Sequence, residues 1–161
     1  MKKIKLNYKK LNYISFFIII ILFIIFFYGT SLSCDYRIKL RTPDTFYDGV
    51  CELGKTSWIE TQNNKLNGSI WHVTAWSFSL KNKLIFLVTN RKRLHKNGNK
   101  PNNLDLYNEQ LSSIKILNYE YSDLSKHHIA IFSVFPEEHV YVAEIHGSLS
   151  LFSEKKSNRK Q

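Results

Sequence analysis

Residues 13–32, YISFFIIIILFIIFFYGTSL, restrict the fold of this chain more than any other stretch. Within residues 14–28 only Ser15 is a small polar residue. A helix of about 20 residues spans roughly 30 Å, the thickness of a bilayer's hydrocarbon core. Five lysines precede the run (Lys2, Lys3, Lys5, Lys9 and Lys10), and no acid occurs before Asp35. The positive-inside rule then predicts a basic cytoplasmic leader over residues 1–12. It also predicts a transmembrane anchor or signal segment over 13–33, with everything beyond outside the cytoplasm. The expected location is the membrane, with a periplasmic or extracellular domain, or a secreted domain if the segment is removed. Ser31-Leu32-Ser33 ahead of Cys34 is compatible with a retained anchor, with cleavage after Ser33 and with a lipid-modified Cys34. The apolar density of residues 18–27 favours the anchor.

The basic leader ahead of this segment accounts for half of the net charge of +10. Without the leader lysines, 18 basic residues face 13 acidic ones. The remaining 125 or so residues suit one domain with a real core. Aromatic residues make up 14% of the chain and continue past residue 33, which argues against disorder there.

Alternation at period two then recurs. Residues 36–41 set Tyr36, Ile38 and Leu40 on one face and Arg37, Lys39 and Arg41 on the other. Such a cationic row reads as a solvated face, as protection of a sheet edge or as a contact for anionic lipid heads. Further strands are predicted at 46–53, with a turn signal at Asp48-Gly49, and at 56–60. A long strand over 69–80 is expected to kink near Ala75, with Ile70, His72, Thr74, Trp76, Phe78 and Leu80 on one face, Trp71, Val73 and Ala75 on the other, and both faces partly covered. Lys81-Asn82-Lys83 reads as a hairpin connection to an apolar strand over 84–89. A short helix is predicted over 104–111 with Asn103 as its N-cap, followed by a strand over 113–121 and a turn over 123–126. Last come a hairpin over 127–146, a final strand over 148–153 and a basic disordered tail over 154–161. The predicted fold class is all-β, or β-dominated α+β: a small antiparallel sandwich or barrel over 34–153, after a single N-terminal helix.

Three groups of residues are candidates for chemistry. Cys34 and Cys51 are the only cysteines, and outside the cytoplasm they are expected to pair. A lipid on Cys34 would exclude that bond. If the last hairpin turns at Pro136-Glu137, His127 faces His146, and Glu144 shares their face. Two imidazoles and a carboxylate could then hold a divalent metal, although a Pro-Glu turn is not a preferred hairpin type and a one-residue change re-pairs every position. The third group is the polar stretch 90–103, read as a loop whose Arg91, Lys92, Arg93, Lys96 and Lys100 could meet an acidic protein or an anionic lipid surface. No aromatic residue interleaves with these cations, so nucleic acid is not an expected partner.

No phosphate-binding glycine loop, nucleophile elbow, C-x-x-C or H-E-x-x-H motif occurs, and no catalytic residue or cofactor is expected. The expected function is therefore non-catalytic: a membrane-anchored or exported binding protein of the cell envelope, such as a toxin-neutralising or inhibitor-type module. A small metal-dependent enzyme using His127, His146 and Glu144 is the rival reading, and a structural envelope subunit is the third.

Overall fold

A computed structural model describes residues 8–63, 68–95, 101–133 and 138–151. An N-terminal helix, α1 (Tyr8–Phe27), runs into a π-helical turn (Tyr28–Leu32). Eight strands follow: β1 (Asp35–Arg41), β2 (Thr45–Glu52), β3 (Lys55–Gln62), β4 (Ile70–Leu80), β5 (Lys83–His95), β6 (Ile116–Ser125), β7 (His128–Ser133) and β8 (His139–Ser148). Between β5 and β6 lie α2 (Asn103–Gln110) and a 3₁₀ turn (Leu111–Ser113). The strands pair in sequence order, all antiparallel, and β1 closes on β8 to complete a barrel.

The alternation read from sequence explains the barrel wall. Tyr36 of β1, Val73 and Ala75 of β4, and Ala143 and Ile145 of β8 are all buried, while Arg37, Lys39 and Arg41 are outside. β1 lies between β2 and β8, so its cationic row protects no edge: closure removes every edge. Arg37 instead makes a two-pronged ion pair with Asp48 of the neighbouring strand, at 2.9 and 3.2 Å.

The barrel is filled unequally along its axis. The disulfide Cys34–Cys51 forms, which occupies the Cys34 sulfur. Around it pack Tyr36, Leu84, Ile129, Ile145 and Leu149, closing the end of the barrel that meets α1. From Tyr13 to Phe26, α1 is apolar on every side and exposed, with Phe16 at 63% and Phe23 at 67%. Asn12–Leu32 is long and apolar enough to cross a membrane. The π-helical turn docks on the barrel: Ser31 is buried and donates to the Ser77 carbonyl at 2.6 Å. Gly54, at φ +81°, makes room beneath it, since a Cβ there would lie 2.8 Å from Ser31 Oγ.

Several boundaries differ from expectation. Asp48-Gly49 is not a turn, because β2 runs straight through it. Gly49 serves packing instead: a Cβ would lie 2.9 Å from the Cβ of Trp58, which uses that interior space. β6 continues to Ser125, so the predicted turn over 123–126 is confined to Lys126-His127. Beyond Ser148, where β8 ends, no strand forms at 149–151. Gly147 turns the chain at φ +104°, close against the Asp35 backbone, and Leu149 drops into the core. In the last hairpin His128 faces Glu144 and Ser133 faces His139, one residue out of the expected register. The expected turn at 136–137 and the tail 154–161 lie outside the described residues, as do leader residues 1–7.

Candidate functional site

The other half of the barrel is open. A cavity of about 480 Å³ runs from its centre to the end away from α1. Thr42, Asp44, Gln62, Ser133 and His139, all at or beside strand ends distant from the helix, surround the mouth. Ile38, Leu40, Phe86, Leu117 and Ile131 form apolar wall. Tyr47, Trp58, Tyr107, Tyr119 and Tyr141 add an aromatic lining.

A bulge in β5 gives this cavity its charge. Ala75 faces Val88 and Thr74 faces Asn90, so Thr89 is an extra residue opposite β4. Thr89 Oγ1 bonds back to the Thr74 carbonyl at 3.0 Å. The extra residue reverses the alternation. Before it Leu84, Phe86 and Val88 face inward; after it Arg91 and Arg93 do, opposite Val73 and Trp71. The stretch 90–95 is therefore strand, not the loop predicted from its polarity. The Arg91 side chain is only 5% exposed, so this cation is not offered to a partner on the outer surface. Lys92 is exposed, while Lys96 and Lys100 lie outside the described residues.

Arg91 meets Glu60, whose side chain is 3% exposed, across 3.6 Å. Glu60 Oε1 accepts from Trp58 Nε1 at 2.8 Å, and Oε2 accepts from Asn108 Nδ2 at 2.7 Å. Asn108 also accepts from Arg91 Nη1 through its Oδ1 and donates to the Leu104 carbonyl. Burial pushes the Glu60 carboxyl above the usual range, against the pull of Asn108, Trp58 and Arg91. Burial also pushes the Tyr119 phenol up to about 12 and raises Tyr47 and Tyr107. These three phenols thus stay neutral, and Glu60 and Arg91 bring a carboxyl and a guanidinium to the cavity lining.

α2 sits where β5 and β6 part, since their pairing stops at Leu87–Ile116. Its N-terminus is fixed by a capping box between Asn102 and Asp105. Asp105 is fully buried, accepting from Trp71 Nε1 at 2.8 Å and Ser69 Oγ at 2.9 Å, with Arg93 at 3.4 Å. Burial opposes its charge, but the Trp71, Ser69 and Asn102 bonds and Arg93 together hold the Asp105 carboxyl below the usual range. This anchorage sets Leu104, Tyr107 and Asn108 against the barrel interior.

The histidine group lies elsewhere, on the outer wall. His146 Nε2 and Glu144 Oε1 are 2.8 Å apart, both about half exposed, and the His127 and His146 rings lie 4.9 Å apart. The hydrogen bond with His146 lowers the Glu144 carboxyl. Among the described residues, no group of three or more His, Cys, Asp or Glu is arranged to hold a metal ion.

Sequence reasoning missed Glu60, Asn108 and the inward role of Arg91. Glu60 had a signal: in 56–62 it alternates in phase with Trp58, an acid on a face that carries a large aromatic. Arg91 had none, because a bulge is set by pairing. No protein-family model matches this chain, and no curated protein matches it either.

Proposed function

We propose that this protein is a non-catalytic binding protein, held at a membrane by α1, whose barrel takes up a small amphipathic molecule through the mouth opposite the helix. The observation that carries this reading is the cavity of about 480 Å³, lined by apolar and aromatic side chains around one buried polar centre. Ligand sites of small molecules have this size and this composition, and an eight-stranded barrel is wide enough for one small ligand. Burial of Ser31 against β4 supports retention of the helix as an anchor, because the turn that joins them is part of the folded barrel. The mouth then faces the aqueous side, and the ligand arrives from solution.

A flat neutral probe tests the reading. 2-Naphthol, titrated into the full-length protein in lipid nanodiscs against empty nanodiscs, is expected to bind saturably at one site and to change tryptophan emission through Trp58. Filling the cavity by Ile131→Trp is expected to weaken that binding at least about tenfold. Absence of saturable binding, or binding untouched by Ile131→Trp in a folded variant, would sink the proposal.

A further inference from the structure

We infer that the barrel selects ligands bearing a carboxylate, which docks on the side-on fork of Arg91, formed by Nε–H and Nη2–H. The inference rests on the cavity reading above and adds the chemistry of the head group. Its observation is a gap in the hydrogen bonding. Arg91 Nη1 is engaged by Asn108 and lies near Glu60, yet Nε and Nη2 are buried with no partner. Buried guanidinium N–H groups seldom lack acceptors, because the desolvation cost is high. Nε and Nη2 present two parallel N–H bonds on one edge, the geometry that matches both oxygens of a carboxylate.

Asn108 leaves that edge unpaired. By taking Nη1 through its own amide oxygen while donating to Glu60, it orients the guanidinium from the opposite side. Glu60 lies beside Nη1 rather than the fork, with its oxygens accepting from Trp58 and Asn108. The two nitrogens are covered, so an entering head group has to displace the atoms that cover them. Tyr107 stands on α2 beside this site and feels the Arg91 charge. Charge selects the head group further. With Glu60 3.6 Å from the guanidinium, a monoanion is better tolerated than a dianionic phosphate. The aromatic wall, Trp58 and Phe86 with ring centroids 5.4 Å apart, suits a flat apolar body behind the carboxylate.

The test compares 2-naphthoate with neutral 2-naphthamide and with 2-naphthyl phosphate by calorimetry on the full-length protein in nanodiscs. Naphthoate is expected to bind at least about tenfold more tightly than the amide, the value of charge-assisted hydrogen bonds. Arg91→Lys keeps the charge but not the fork and is expected to lose most of that preference. The pair Arg91→Gln with Glu60→Gln removes both charges together, which guards against an unpaired buried acid, and is expected to equalise the two ligands. Equal binding of naphthoate and naphthamide to the wild type overturns the carboxylate fork while leaving the cavity reading intact. A preference that survives in the double variant also overturns it, and tighter binding of the phosphate overturns the choice of carboxylate. If none of the three ligands, nor 2-naphthol, binds saturably, the cavity reading falls and this inference falls with it.

Discussion

Glu60 and Arg91 illustrate how a single residue's role depends on which side of the wall it faces. Both are ordinary surface residues by type, and both are buried here. Burial raises the Glu60 carboxyl above its unfolded value. A group whose folded pKa is raised contributes stability that is present below the unfolded pKa and lost as pH rises through the folded one. Replacing it by Gln removes that loss. Urea unfolding at a series of pH values is therefore expected to show Glu60→Gln gaining on the wild type as pH climbs from about 4 towards neutrality. A difference between the two proteins that is flat with pH would contradict the assignment. Glu60 was half legible in the sequence, from its phase with Trp58. Arg91 was not, because five basic residues in a polar stretch look alike until pairing distinguishes them.

At the scale of elements, α2 completes the barrel where two strands separate. Its own helical propensity is modest over eight residues, so tertiary anchorage holds it. Asp105 supplies that anchorage through Trp71, Ser69 and Arg93. Asp105→Asn keeps the shape but turns an acceptor towards a donor, and is expected to cost about 2–3 kcal/mol at neutral pH. The wild-type carboxyl is held low, so its contribution is present above the ordinary aspartate range and lost as pH falls through the folded value. The gap between wild type and variant is thus expected to close in acid, below about pH 4, with Trp71 emission reporting the release of α2. The helix was visible in sequence from the spacing of Leu104, Tyr107 and Leu111. Its cap is Asn102 rather than Asn103, a difference of one residue among adjacent asparagines.

For the whole molecule, the disulfide and the core cluster close one end of the barrel, and the cavity opens at the other. The Cys34–Cys51 bond ties the start of β1, where α1 delivers the chain, to the end of β2. Closing a loop of 17 residues contributes about 3 kcal/mol in the chain-entropy model. Replacing both cysteines by serine is expected to lower the stability of the folded barrel by about that amount in urea unfolding. Reducing agent is expected to shift the wild type to match the variant and to leave the variant unchanged. The bond sits in the filled half, away from the cavity, so probe binding is expected to survive wherever the variant stays folded.

The sequence by itself determined the apolar N-terminal helix, a β-dominated domain of short strands and the inward face of β1, and it offered the Cys34–Cys51 bond as one of two exclusive readings of Cys34. These follow from local facts: an unbroken apolar run, alternation at period two, and a cysteine count of two. Only the tertiary structure decided that the strands close into a barrel rather than stack as a sandwich, because closure depends on β1 meeting β8 across the length of the domain. It also decided the interior site. One extra residue at Thr89 reverses the faces of the β5 residues that follow it, and turns Arg91, read as part of a polar loop, into a charged side chain of the cavity lining.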